Sequence, residues 1–405
     1  MTPAPRYDPL SEAHRADPAA AFAQLRTHCP VHHDAAHELW VLTRHADVLA
    51  AARDTATFSN RTSASGQIRL CPEALAVMAS GPRLADTLLT LDPPAHTEIR
   101  RIVNEAFKPS RVAAMEPMVR AIAAELADAF DTSGPVEIMD AMAIPLPMRV
   151  ISRILGVPED EFPTFKRWSD DIAAGLSADL PDDEQVAAAR SRLAFFEYVI
   201  AACAERRGAP RDDVLSDLAT LERADGSRLS DGELCSIAVQ LLVAGNETST
   251  NLLGSMLLHL DRNGLWPALV ADIALAPAAV EETLRIESPV QALYRRTTTD
   301  VDVHGTTIPA GSRVHLVWAS ANHDAEAFSD PDRFDLHRPE LRTHLAFGFG
   351  PHYCPGAPLA RLEGRIALEE LTRRFPHLSV DQSSAVWRPH FHLRGLLRLD
   401  VRVGA

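Results

Sequence analysis

The sequence predicts a mainly α fold with a minor β region, organised around one long central helix at about residues 230–263. Three observations carry this expectation. Apolar residues recur at helical spacing along most of the 405 residues. Strand-like alternation is confined to a few short stretches, most of them late in the chain. No Gly/Ser linker, low-complexity tract, long single-sign charge run or repeat divides the chain. One domain over residues 1–405 is therefore expected, although length alone would allow two or three.

The central helix has the clearest boundaries. Ser230 followed three residues later by Glu233 is a capping box, which satisfies two backbone donors that a helix start leaves unpaired. Apolar positions then run from Leu234 through Leu242 and from Leu252 to Leu260, and Asn263-Gly264 supplies the stop. At 1.5 Å per residue such a helix is about 50 Å long, and its apolar positions wrap most of the circumference. It should run through the interior. Further helices are expected at 18–28, 45–52, 95–107, 111–131, 184–207, 267–286 and 356–374, and strands at 39–43, 300–309, 313–318 and 396–403. Residues 59–91 form the least regular long stretch, where a substrate-facing loop is expected.

The net charge of −15 argues against nucleic acid, whose phosphates call for a basic surface, and against an anionic membrane leaflet. The longest nearly uninterrupted apolar runs, 237–245 and 273–280, fall short of the roughly 18 residues a spanning helix needs. The amino terminus lacks the basic and apolar regions of a secretory signal. Five cysteines, at 29, 71, 203, 235 and 354, are widely spread and form no CxxC pair, which fits a reducing compartment. A soluble cytoplasmic protein is expected.

Three segments carry chemistry. The first is AFGFGPHYCPGAPLARLE at 346–363, which places Cys354 between the glycines Gly348 and Gly350 and a helix opening at Pro355. Proline suits a first helical turn, and the positive end of a helix dipole favours an anionic sulfur, the form that ligates metals. Glycines let backbone approach a flat surface closely. The second is AGNETST at 244–250, where Gly245, Asn246, Glu247, Thr248 and Ser249 interrupt an otherwise apolar helix. A buried acid there is costly unless paired or wetted. The third is EETLR at 281–285, whose Glu282 and Arg285 share one helical face.

The pattern F-x-x-G-x-x-x-C-x-G, matched by Phe347, Gly350, Cys354 and Gly356, resembles the haem-ligand signature of the cytochrome P450 superfamily. AGNETST resembles that family's oxygen-binding motif, and EETLR supplies its E-x-x-R. The likeness extends over nearly the whole chain and is nearest to soluble bacterial members. It implies haem b (heme b) with the Cys354 thiolate as axial ligand, and an oxygen pocket beside Ala244 and Gly245. Thr248 would orient protons and water, and Glu247 would help deliver them. Propionate partners are expected at His96 and Arg100, which sit at i and i+4, at Arg295 in preference to Arg296, and at His352. Glu282, Arg285 and Arg333 are expected to form a buried structural triad. Apolar Leu241, Val290, Ala292 and Leu293 are expected in the substrate pocket, with a surface role favoured for Arg83 and Arg394.

The resemblance further implies a monooxygenase taking O2 and two electrons to hydroxylate or otherwise oxidise a small to medium hydrophobic substrate. A natural-product intermediate suits it. The alternative is a peroxide-using or isomerising haem-thiolate enzyme. The chain contains no G-x-G-x-x-G fingerprint and no cysteine cluster, so electrons are expected from a separate ferredoxin and its NAD(P)H-dependent reductase. Arg101, Arg361 and Arg365 are expected to form a basic docking patch.

Overall fold

A computed structural model describes residues 7–8, 11–12, 14, 17–61, 70–174, 180–223, 225–388 and 392–404. Part of the irregular 59–91 stretch, residues 62–69, lies outside this set. The chain packs into two compact units, one of Met1–Ser63, Pro109–Leu146 and Thr248–Ala405, the other of Ala64–Lys108 and Pro147–Glu247.

The central helix runs Asp231–Arg262. Its capping box forms as the sequence requires: the Ser230 amide donates to Glu233 Oε2 at 2.9 Å, and the Glu233 amide donates to Ser230 Oγ at 3.3 Å. At the other end Gly264 takes φ +65°, and the Leu265 amide reaches back to the Leu260 carbonyl. Helices at Pro18–His28, His45–Arg53, Ala95–Ala106, Asp182–Gly208 and Ala357–Arg374 match expectation within two residues.

Two expected helices are broken, each beside a proline. The 111–131 segment divides into Pro109–Ala114 and Glu116–Asp128, with Pro117 in the first turn of the second. The 267–286 segment becomes Trp266–Ala271, a 3-10 turn and Ala276–Ile286, where Asp272 caps Ala274 and Pro277 opens the last helix. Proline lacks the donor that would continue the ladder, so each break falls where no backbone bond is lost. The 300–309 stretch is a hairpin, Val301–Val303 with Thr306–Ile308, turning at His304 and Gly305. Helices at Pro72–Ala79, Pro145–Leu155 and Phe162–Ala174, and strands at Leu293–Thr297 and Ser379–Trp387, lie outside the sequence expectation.

The larger unit holds the sheets. A five-stranded sheet runs in the order 31–34, 39–42, 313–316, 293–297, 58–59. Its faces bury different cores. Tyr294 and Ala292 join Tyr7, Phe22, Leu39 and Val41 on one side, while Leu293 packs with Val290 and Phe349 against Val314 and Leu316 on the other. This alternation excludes Ala292 from the expected substrate lining, because its methyl group fills a closed core. Leu293 and Val290 remain partly exposed.

The E-x-x-R pair forms as a buried ion network. Glu282 and Arg285 are each 0 % exposed, and Arg285 Nη2 donates to Glu282 Oε1 at 2.7 Å. The third side chain is Arg338, whose Nε donates to Glu282 Oε1 at 3.2 Å. Arg333, expected in that role, is exposed and contributes only its carbonyl, which accepts from Arg285 and Arg338. Sequence position put both arginines in the same irregular segment. The chain path turns Arg338 inward.

A second buried acid joins the central helix to the helix after the cysteine. Ser249 Oγ donates to Glu363 Oε2 at 2.6 Å. Burial raises the Glu363 pKa to about 8, with the serine hydrogen bond opposing in part. Its ordinary value is 4.5, so folding is penalised as pH rises from about 4.5 through 8, where the unfolded chain alone ionises freely. Glu363→Gln is expected to match wild type in denaturant titration at pH 5 and to exceed it by on the order of 3 kcal/mol at pH 8. Equal stability at both pH values would refute this. For the triad, Arg338→Leu is expected to cost about 3 kcal/mol and Arg333→Leu under about 0.5 kcal/mol. The reverse order would restore Arg333 as the third member.

Candidate haem-thiolate site

The cysteine loop hangs from the ion network through one asparagine. Arg285 Nη1 donates to the Asn322 carbonyl at 2.9 Å. The Asn322 side chain then accepts from the Leu345 amide at 2.7 Å and donates to Ser288 Oγ at 2.9 Å. From Leu345 the loop closes on itself: the Gly348 amide donates to the Leu345 carbonyl, and the Cys354 amide donates to the Phe347 carbonyl at 2.9 Å. Gly348 and Gly350 both adopt φ near +70°, which side chains resist. At Gly350 a Cβ would also stand 2.9 Å from the Ala52 carbonyl oxygen, so the loop seats directly on the His45–Arg53 helix.

Glu281, one residue before the family glutamate, clamps the same loop. It accepts from His344 Nε2 at 2.9 Å and from both Nε and Nη2 of Arg361. Burial would raise its pKa, but the His344 and Arg361 hydrogen bonds outweigh burial and hold it at about 2. Arg361 lies 4.6 Å over the Phe347 ring and donates to the Tyr353 hydroxyl at 3.1 Å. Sequence reading missed Glu281, Asn322 and His344. The signal for Glu281 was its position beside Glu282, on a different face of the helix.

Cys354 therefore sits, half-buried, on a loop fixed at Phe347 and opening into the Ala357–Arg374 helix through Gly356. His352 ends a 3-10 turn two residues before it. Arg295 is 2 % exposed and shares a strand face with Leu293, the face against which Phe349 of the loop packs. Arg296 points oppositely and donates to the Gly311 carbonyl.

In the other unit, His96 is buried on the Ala95–Ala106 helix, with Arg100 half-buried one turn later and donating to Asn104. Burial, then the charge of Arg100, lowers the His96 pKa. On the central helix, Leu241 and Leu242 are buried, as are Ser249 to Leu258, yet Ala244 is exposed and Val243, Gly245 and Thr248 are half-exposed. Asn246 and Glu247 are buried, and Asn246 Nδ2 donates to Ser169 Oγ at 3.3 Å. Ala244, Gly245 and Thr248 thus form an accessible stretch midway along the helix.

These residues fit haem. A single thiol lies on a rigid, glycine-bearing loop with Phe347 beside it, and a buried arginine, Arg295, lies on the strand face against which Phe349 of that loop packs. The expected basic patch is largely neutralised. Arg365 pairs with Glu116 and Glu369, and Arg361 with Glu281; Arg101 is exposed. Arg394 is also committed, donating to Glu287 at 3.0 Å and stacking 3.5 Å over Trp387.

The family profile described as Cytochrome P450 matches residues 268–400. The chain is 39 % identical over 409 residues to cytochrome P450 monooxygenase PikC of Streptomyces venezuelae, covering 97 % of this chain and 92 % of that one. It is 37 % identical to the 6-deoxyerythronolide B hydroxylase of Saccharopolyspora erythraea across 100 % of both chains. Among solved structures, cytochrome P450 CYP109Q5 from Chondromyces apiculatus superposes with a TM-score of 0.88 at 38 % identity, covering 99 % of each chain. Among the described residues no helix is long and apolar enough to cross a membrane. With the anchored cysteine loop, the buried E-x-x-R network and full-length relatives agreeing, the chain belongs to the cytochrome P450 superfamily and is a haem-thiolate monooxygenase of the bacterial type.

Proposed function

We propose that the chain hydroxylates or otherwise oxidises a small to medium hydrophobic organic substrate, with electrons delivered in the cytoplasm by a separate ferredoxin and its NAD(P)H-dependent reductase. The observation that carries this reading is Cys354 on its glycine-bearing loop, tied through Asn322 to the Glu282–Arg285–Arg338 network. A natural-product intermediate is the substrate class favoured, since one full-length relative is named a hydroxylase of 6-deoxyerythronolide B. Leu241, Val290 and Leu293 supply apolar lining.

Cys354 would hold the haem iron through its thiolate, with Arg295, His352, His96 and Arg100 meeting the propionates. When bound, the haem supplies reductive activation of dioxygen, which thiolate ligation favours. The remaining work belongs to the chain. Pro355 has no N–H, so one hydrogen bond that would withdraw charge from the sulfur is absent. Ala244 and Gly245 leave room for a diatomic molecule beside the helix. Thr248 holds water and passes protons from its hydroxyl, and buried Glu247 supplies them. This acid-alcohol pair favours the reductase-dependent reaction over a peroxide-using or isomerising one.

The purified protein, reduced and exposed to carbon monoxide, is expected to show a strongly red-shifted Soret band that Cys354→Ser abolishes. A band typical of histidine ligation would overturn the assignment of Cys354. Thr248→Ala is expected to lower product formed per NAD(P)H consumed by about tenfold while retaining the haem spectrum. An unchanged ratio would remove Thr248 from proton delivery.

A further inference from the structure

The second half of the central helix carries a line of polar side chains, two of them at fully buried positions where apolar ones would be favoured. Thr248, Asn251, Ser255, His259 and Arg262 fall at i, i+3, i+7, i+11 and i+14, a single stripe along one side. Asn251 and Ser255 are each 0 % exposed. Neither polar atom of Asn251, nor Ser255 Oγ, has a hydrogen-bond partner within the protein. Leaving one such group unsatisfied costs about 1–3 kcal/mol, so three in succession call for buried water. Room for the amide comes from Gly395, where a Cβ would lie 1.8 Å from Asn251 Oδ1. Successive stripe positions are about 4.5–6 Å apart along the axis, a gap that one water spans with two hydrogen bonds.

At its far end the stripe meets a cavity of about 320 Å³, lined in part by His259, Arg262, Glu287, Gln291 and Arg394. Arg262 is exposed there. His259 Nε2 lies 3.2 Å from Glu287 Oε2, and Arg394 Nε donates to the other carboxylate oxygen at 3.0 Å. Burial opposes ionisation of Glu287, but His259 and Arg394 outweigh it and hold the pKa at about 2. A carboxylate thus faces the His259 imidazole at the mouth of the cavity.

We propose that this stripe is a hydrated proton route from the cavity at His259 to Thr248, distinct from delivery by Glu247, with Asn251 and Ser255 as positioning residues that hold its waters. It rests on the role given to Thr248. Solvent donates one proton to the chain at the cavity, each water passes one O–H proton onward, and Thr248 gives up its hydroxyl proton while taking one from the water behind it. One proton enters at the cavity for each that Thr248 gives up to the reaction, and no electrons move along the route.

Diffraction from crystals of the holoenzyme and of two variants, Asn251→Leu and Ser255→Val, tests this directly. Wild type is expected to show ordered waters bonded to Asn251 and Ser255, absent at the substituted position in each variant. In the same preparations product per NAD(P)H is expected to fall about fivefold, with a larger solvent isotope effect and an unchanged carbon monoxide spectrum. Combining either variant with Glu247→Gln is expected to multiply the losses. Should Asn251→Leu not fold, Ser255→Val gives the same reading. Wild-type crystals with no water at Asn251 and Ser255, or an unchanged ratio in either folded variant, would overturn the route. If Thr248→Ala alone leaves the ratio unchanged, the underlying role of Thr248 fails, and the route falls with it.

Discussion

The structure depends on a salt bridge placed where water cannot reach it. Glu282 and Arg285 are wholly buried, and isolated burial of either charge would be prohibitive. The solution is complete satisfaction. Glu282 accepts from Arg285, Arg338 and the Asp335 amide, while Arg285 donates to the carbonyls of Asn322, Pro331 and Arg333. Five residues between 322 and 338, in an irregular, helix-poor segment, are thereby fixed to one helix. Such a network adds little net stability over well-packed apolar residues, but it tolerates one arrangement only.

That single arrangement is what the cysteine loop requires. A loop with two residues in left-handed conformation and few side chains has little packing of its own. It borrows rigidity from Asn322 beneath, from Ala52 behind Gly350, and from the Glu281–Arg361–Phe347 clamp. A thiolate ligand must be held within tenths of an ångström to tune an iron centre, so the investment in buried charge serves the chemistry rather than the fold alone.

The same economy explains the arginines of the Ala357–Arg374 helix. Seen as sequence, Arg361 and Arg365 resemble a basic surface for an acidic protein. In the fold their charges are spent on Glu281, Glu116 and Glu369. The face around the loop is consequently less basic than its composition suggests, which suits a protein whose net charge is −15.

Sequence by itself determined the local and the chemically irreplaceable. The capping box and the Asn-Gly stop set the central helix to within two residues, because caps act over one turn. The glycine-bearing cysteine loop and the Glu282–Arg285 pair were likewise legible, since each follows from motif spacing. Tertiary structure decided what depends on the chain path. Arg338 rather than Arg333 reaches Glu282, because both lie in a segment with no period to say which faces inward. Ala292 faces a closed core because Tyr7 and Phe22, some 270 or more residues earlier, cover it. Glu281, His344 and Asn322 became visible as a clamp only when residues far apart in sequence met. The orphaned amide of Asn251 likewise gained meaning only once Gly395, lacking a Cβ, gave the amide the room it fills. Long-range burial, unlike helix capping, has no local signature.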